Sequence, residues 1–172
     1  MDRFEQNVRD AEQYDTWAAR SFASVTDRGF HDDDAIPALC KDERLATQFV
    51  RLSEEVIEWG LSLRAEESLR ELADVCIVAA NMGWLLGIDL SKALHGELPC
   101  MQLEITDALG MVARAMRSQD AHSAPIIPAL VTLITACGKN ARAYHGGSQV
   151  LQDAILRKLQ ADEKRGRLHR GV

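Results

Sequence analysis

Five acidic residues follow a regular spacing in the first half of the sequence. Glu54, Glu55 and Glu58 are followed, after a gap of 12 residues, by Glu71 and Asp74. Residues three apart on a helix project from neighbouring turns on one side of that helix. The spacing therefore predicts two pairs of carboxylates, one of Glu55 with Glu58 and one of Glu71 with Asp74.

Four carboxylates that converge in a partly dry space need protons or cations, because they repel one another and lose solvation. Ligand sets made only of oxygen favour magnesium, manganese or calcium over zinc, and magnesium commonly shares its shell with substrate phosphates. We therefore predict that Glu55, Glu58, Glu71 and Asp74 bind Mg²⁺, with Mn²⁺ as a substitute. Glu54 faces the polar side of its helix and is predicted to orient a water molecule.

Two other interpretations of the acidic residues compete with a magnesium site. Surface helices often carry glutamate pairs, and Ser68-Leu-Arg-Glu71 fits a capping box in which Glu71 only closes a helix start. Di-iron bundles use Glu-x-x-His pairs, and none of the five histidines is so placed. The first interpretation does not explain two matched acidic pairs on consecutive helices, and the second lacks its histidines, so the pattern favours magnesium.

The elements that carry these residues are predicted to be helices, since apolar residues recur at helical spacing and no run alternates as a strand would. One helix is predicted from Asp42 to Leu63 and the next from about Ser68 to Gly87. The tight connection makes them antiparallel neighbours. The fold class is therefore all-α, with the two acidic pairs facing each other.

Proline, glycine and capping residues divide the rest of the chain into further helices. These are predicted over roughly Phe4 to Ser24, a short helix capped by Asp89 and ending near Gly96, Pro99 to about Ser118, Pro125 to Gly146, and Ser148 to about Lys164.

A second copy of the Glu-x-x-Asp spacing lies in the later half of the chain. Glu104-Ile-Thr-Asp107 repeats the pattern of Glu71-Leu-Ala-Asp74. It lacks a preceding acidic partner. We therefore predict that it is an exposed helix face, and we infer no internal repeat.

Composition limits the class of protein. A chain of 172 residues with 47% hydrophobic content fits one domain spanning residues 1–172. A net charge of -6 argues against a general nucleic-acid binder. Four scattered cysteines without zinc spacing, and a polar start without an export signal, predict a cytoplasmic protein. The longest apolar run is too short to cross a membrane.

Three motifs resemble those of the MazG-like all-α NTP pyrophosphatases, whose superfamily includes the dimeric dUTPases and dCTP pyrophosphatases. They are Leu52-Ser-Glu-Glu-Val-Ile-Glu58, Glu71-Leu-Ala-Asp-Val75 and Leu86-Gly-Ile-Asp-Leu90. The resemblance is strongest over about residues 44–92. It implies a helical bundle, here with additional C-terminal helices, that hydrolyses a nucleoside triphosphate to the monophosphate and pyrophosphate with Mg²⁺ on the four carboxylates.

Three further residues are predicted to bind substrate. Asn81 lies seven residues after Asp74 and is either a ligand of sugar, base or metal-bound water, or a satisfied core amide. Lys158 and Arg165 resemble the family's late basic motif and are predicted to contact phosphate, although a role at a solvated helix end stays open. Asp162 stands where the motif has asparagine.

The leading functional hypothesis is a magnesium-dependent nucleoside triphosphate pyrophosphohydrolase. The alternative is a non-catalytic helical protein that binds nucleotide or metal for regulation or interaction. The run from Val75 to Ile88 has more apolar surface than one neighbouring helix can cover. Either the C-terminal helices or a second subunit must cover it, and we expect a homo-oligomer, a dimer or tetramer.

Overall fold

A computed structural model describes residues 3–27, 41–97, 103–117 and 125–169. Within these ranges it has seven α-helices, one short 3₁₀ helix at Ser91–His95, and no strand, which confirms the all-α prediction. The α-helices are α1 (Arg3–Gln13), α2 (Trp17–Asp27), α3 (Lys41–Leu61), α4 (Ala65–Leu85), α5 (Ile105–Arg117), α6 (Ile126–Tyr144) and α7 (Ser148–His169).

The single helix predicted over residues 4–24 is wrong, because the structure has α1 and α2 with a break between them. The Tyr14 amide donates to the Ala11 carbonyl at 3.2 Å, which ends α1. The hydroxyl of Thr16 then accepts from the Ala19 amide at 3.2 Å, and this side-chain cap starts α2. A threonine that caps a new helix competes with continuation of the old one.

Helices α3 and α4 form the predicted antiparallel pair, joined by residues 62–64. The start of α4 differs from the prediction: it begins at Ala65, three residues before Ser68. The Ser68 amide already donates to the Arg64 carbonyl at 2.8 Å, so Ser68 lies inside the helix. The capping-box interpretation of Glu71 is therefore wrong, because Glu71 lies well beyond the helix start.

The central helix of the fold is α4, and every residue from 71 to 86 is buried within this one chain. Helices α1, α2, α3, α6 and α7 surround it. Trp84 is 3% exposed and stacks on Phe22, with ring centroids 6.0 Å apart. The chain's own helices therefore cover the apolar surface from which a second subunit was predicted, and the homo-oligomer stays a prediction without that support.

The second half of the chain places α7 beside α4. The Asp89 carboxylate accepts from the Ser91 amide at 2.7 Å at the start of the short helix, where Leu90, one residue after the predicted Asp89, is the N-cap residue. Helix α6 packs closely on that helix, since a Cβ added at Gly138 would lie 2.0 Å from the Leu94 carbonyl oxygen. Both α6 and α7 then contact α4.

One predicted helix end differs from the structure, and one predicted helix start lies outside the described residues. Helix α7 continues to His169, five residues past the predicted end at Lys164. Pro99 lies outside the described residues, and α5 begins at Ile105.

Across the described ranges, no helix combines the length and the apolar character that a membrane span requires.

Candidate metal centre

Three of the predicted carboxylates converge where α3 faces α4. Glu55, Glu71 and Asp74 each place a carboxylate oxygen within 4.8 Å of the others. Glu71 and Asp74 are 6% and 7% exposed, and Glu55 is half-buried. A group of oxygens this compact can share one hard divalent cation.

The other two predicted acidic residues lie outside this group. Glu58 and Glu54 are both exposed on α3, and neither belongs to the set within 4.8 Å. The charge of Glu58 still reaches the group, because it contributes to the raised pKa of Glu55. The structure therefore brings together three of the four predicted metal ligands and leaves Glu58 beside them.

The pKa of Glu55 is raised from 4.5 to about 7. Burial is the largest cause, followed by the negative charge of Asp74, while Lys158 acts in the opposite direction. Burial also raises the pKa of Asp74 against the opposing effect of Lys158. The centre thus carries more negative charge than its surroundings stabilise, a property common at functional sites.

Two cations partly neutralise the buried carboxylates. The Lys158 ammonium of α7 forms an ion pair with Oδ1 of Asp74. The guanidinium of Arg70 donates two hydrogen bonds to Oε1 of Glu71, from Nε at 3.1 Å and from Nη2 at 2.8 Å. Glu71 and Asp74 therefore each have a cationic partner.

A cleft of about 840 Å³ adjoins the carboxylates between the start of α4 and the middle of α7. Three alanines on the facing helices leave the space open. Its charged lining residues are Arg64, Arg70, Arg157, Lys158, Glu66 and Glu67. In a chain of net charge -6, this concentration of cations next to a carboxylate cluster fits a polyanion better than a neutral ligand.

Asn81 does not line this cleft. It is fully buried, and its Oδ1 accepts a hydrogen bond from the Ser21 hydroxyl at 2.9 Å. It lies about 10 Å along α4 from Asp74, given a rise of about 1.5 Å per residue. Its Nδ2 and the Oε1 of buried Gln48 have no hydrogen-bond partner among the described residues. Asn81 is thus placed in the closed interior.

Of the two predicted phosphate ligands, Lys158 lines the cleft. The side chain of Arg165 lies outside the part of the chain that the structure describes. Arg142, a basic residue near the end of α6, is not among the residues that line the cleft, and its Nη2 donates to the Gly96 carbonyl at 3.0 Å.

Sequence reasoning did not single out Arg64, Arg70 and Arg157. Arg70 directly precedes Glu71 and Arg157 directly precedes Lys158, but many surface arginines have such neighbours. Only the contact of α7 with α4 places them around one cleft.

The sequence marked Asp162 only as a departure from a motif. In the structure it is 7% exposed and helps to raise the pKa of Asp74.

No family model, curated protein or solved structure matches this chain. The centre itself combines three converging carboxylates, two ion-paired cations and a cationic cleft that adjoin one another.

Proposed function

We propose that this chain is a magnesium-dependent nucleoside triphosphate pyrophosphohydrolase of the MazG-like superfamily. The observation that carries the proposal is the cationic cleft beside the converging carboxylates Glu55, Glu71 and Asp74. Carboxylates suit a hard divalent cation, and arginine and lysine suit phosphates. A phosphorylated substrate that binds with a cation needs both features side by side.

The donor set fits Mg²⁺ or Mn²⁺, because it consists of carboxylate oxygens alone. The raised pKa of Glu55 also fits, since a charge that is costly without a cation is one that a cation stabilises. When bound, such an ion polarises phosphoryl oxygens and lowers the pKa of a coordinated water molecule.

The residues of the chain have separate tasks in this proposal. The three buried or half-buried carboxylates hold the ion, and the cations of the cleft bind the polyphosphate. Glu54 and Glu58, exposed on the same helix as Glu55, are the candidates for orienting a water molecule. The water oxygen bonds to the α- or to the β-phosphorus, and the bond from that phosphorus to the oxygen that bridges the two breaks. The group on the other side of the bridge, pyrophosphate or monophosphate, leaves with the electron pair, and the water's protons pass to solvent.

The size of the cleft also supports a nucleotide substrate. Small-molecule sites commonly enclose about 300–1,000 Å³, and this cleft has about 840 Å³. Leu63 and Leu69 supply apolar lining next to the cations. The cleft thus offers room and surface for a nucleoside as well as for its phosphates.

The alternative function is a non-catalytic protein that binds nucleotide or metal for regulation. One observation favours it: Asp162, a buried acid, stands where the resembled motif has asparagine, and it adds negative charge next to Asp74. Extra negative charge there weakens binding of phosphate and strengthens binding of a cation.

A hydrolysis assay separates the two functions. Purified protein with saturating Mg²⁺ is incubated with the standard and modified ribo- and deoxyribonucleoside triphosphates, and pyrophosphate and monophosphate are both measured. We expect equal amounts of the two products from at least one substrate, and loss of both when EDTA is added. Absence of pyrophosphate from every triphosphate contradicts the enzyme and favours the regulatory protein.

We also propose a cytoplasmic homo-oligomer. Since α4 is covered within the chain, the support now comes from α3, where Val50, Ile57 and Leu61 are 58%, 60% and 72% exposed on one side of the helix. A second copy is the simplest cover for this side. A monomeric mass by light scattering at micromolar concentration contradicts the assembly.

The cytoplasmic location has separate support. The free, buried thiols of Cys76 and Cys137 support a reducing compartment.

A further inference from the structure

We propose that Lys158 and Arg70 are exchangeable counterions. They neutralise Asp74 and Glu71 while no divalent cation is bound, and they turn to a polyphosphate in the adjoining cleft when one is. The nature of the ligand, a pyrophosphate or triphosphate chain, rests on the proposed function, whereas the exchange itself rests on the two ion pairs and their position.

The two ion pairs are built so that the cations can leave. In the pair on α4, the side chain of Glu71 is 8% exposed and that of Arg70 is 64% exposed. In the other pair, Asp74 is 10% exposed and Lys158 is 30% exposed. The acids are thus fixed in the interior, while both cations reach them from the solvent side on long, flexible side chains.

The charges match as well. Lys158 and Arg70 together supply two positive charges to Asp74 and Glu71, and one divalent cation supplies the same two charges. A cation held between the carboxylates competes with these two side chains for the same carboxylate oxygens and repels their like charge, which weakens both ion pairs.

Both released cations already line the cleft. Arg64 and Arg157, the other two basic residues of its lining, form no ion pair in the described part of the chain. The acidic lining residues Glu66 and Glu67 offset these two arginines while Lys158 and Arg70 are engaged. Release of Lys158 and Arg70 makes the cleft net positive, so that it attracts a polyanion only when the carboxylates are already neutralised.

This arrangement predicts effects of opposite sign on two ligands. Removing Lys158 or Arg70 deletes a competitor of the metal ion, so Mg²⁺ binds more tightly. The same change deletes a ligand of the phosphates, so pyrophosphate binds more weakly. Arg157 has only the second role. A residue that merely stabilises the fold does not strengthen one ligand and weaken the other.

Isothermal titration calorimetry on the whole chain tests the exchange. Mg²⁺ is titrated into the unmodified protein and into Arg70→Gln, Lys158→Met and the matched control Arg157→Gln, and inorganic pyrophosphate is titrated at saturating Mg²⁺. We expect Arg70→Gln and Lys158→Met to bind Mg²⁺ about threefold or more tightly and pyrophosphate about tenfold more weakly. Arg157→Gln weakens only pyrophosphate. Arg70→Lys keeps the charge and restores both affinities in part.

Unchanged or weaker Mg²⁺ binding in both Arg70→Gln and Lys158→Met overturns the exchange, and so does unchanged pyrophosphate binding in both. If Lys158→Met does not fold, as judged by circular dichroism, Arg70→Gln decides, since its guanidinium is largely exposed. The outcome is separable from hydrolysis: opposite shifts in a protein that cleaves no triphosphate support the exchange and contradict the enzyme, whereas hydrolysis without opposite shifts contradicts only the exchange.

Discussion

The chain contains the same Glu-x-x-Asp spacing twice, in opposite surroundings. On α4, Glu71 and Asp74 are buried, lie within 4.8 Å of a third carboxylate and have cationic partners. At the start of α5, Glu104 and Asp107 are exposed, as the sequence predicted. The spacing puts both carboxylates of each pair on one side of a helix. A facing acidic helix and nearby cations distinguish a candidate ligand site from a solvated surface.

The pair on α5 has an ordinary structural role. Oδ2 of Asp107 accepts from the Glu104 amide at 3.4 Å, where α5 begins. An acid in the first turn that reaches back to the first amide is one half of a capping box, and its charge also suits the helix dipole. The capping role that the sequence offered for Glu71 therefore belongs to Asp107.

The largest expected difference between the two pairs is in turnover. Asp74→Asn removes one charge from the carboxylate cluster at nearly constant shape, and we expect kcat/KM for triphosphate hydrolysis to fall roughly a thousandfold, about 4 kcal/mol of transition-state stabilisation. Asp107→Asn makes the same chemical change at the exposed pair and leaves the rate unchanged. Steady-state kinetics measures both, with circular dichroism as the check of folding. Full activity of Asp74→Asn contradicts the site.

A second difference is the dependence of metal binding on pH. The ion needs ionised carboxylates, and the pKa of Glu55 is about 7, so protonation competes with Mg²⁺ below neutrality. We expect the dissociation constant to be about tenfold larger at pH 6 than at pH 8, and constant above pH 8. The groups that act on Glu55 are Asp74, Lys158, Glu58 and Arg51.

Calorimetry at several pH values measures this dependence, with Glu55→Gln as the control. That variant binds Mg²⁺ more weakly at pH 8, and its affinity changes less between pH 6 and pH 8 because the titrating group is gone. Equal affinity of the unmodified protein at pH 6 and pH 8 contradicts the assignment of Glu55 as a ligand.

The sequence predicted the parts of the molecule that local rules determine. The antiparallel pair α3 and α4 follows from apolar periodicity and a short connection, and the meeting of Glu55, Glu71 and Asp74 follows from the pair. Apolar periodicity does not determine where a helix begins. Three residues at the start of α4 decided whether Glu71 was a cap or lay inside the helix, and such a shift leaves the apolar pattern unchanged.

What the sequence did not predict depends on contacts between distant segments. Trp84 contacts the rings of Phe22 in α2 and of Tyr14 between α1 and α2, which lie more than 60 positions earlier in the chain. The place of Arg157 at the cleft depends on α7 packing against α4. A uniformly apolar helix shows that something covers it. Its own sequence does not say whether the cover comes from the same chain.

The smallest expected difference concerns stability. Neutralising Glu55 at the cluster is expected to stabilise the metal-free protein at pH 8, whereas neutralising Asp107 on α5 is expected to destabilise it. The folded protein holds a proton on Glu55 more tightly than the unfolded chain does, since its pKa is raised from 4.5 to about 7. The metal-free protein therefore loses stability as pH rises from about 4.5 to about 7. At pH 8, Glu55→Gln removes this cost. With allowance for solvent screening, we expect a gain on the order of 1 kcal/mol, about 2–4 °C in Tm.

Asp107→Asn is the counterpart. Its carboxylate complements the start of α5 instead of adding to a crowded cluster, so its neutralisation lowers the free energy of unfolding by about 0.3–1 kcal/mol at low ionic strength. Differential scanning calorimetry without Mg²⁺ at pH 8 measures both variants. Added salt screens the exposed Asp107 more than the half-buried Glu55, so the loss in Asp107→Asn shrinks while most of the gain in Glu55→Gln remains. Destabilisation by Glu55→Gln at pH 8 contradicts a cluster strained by its own charge.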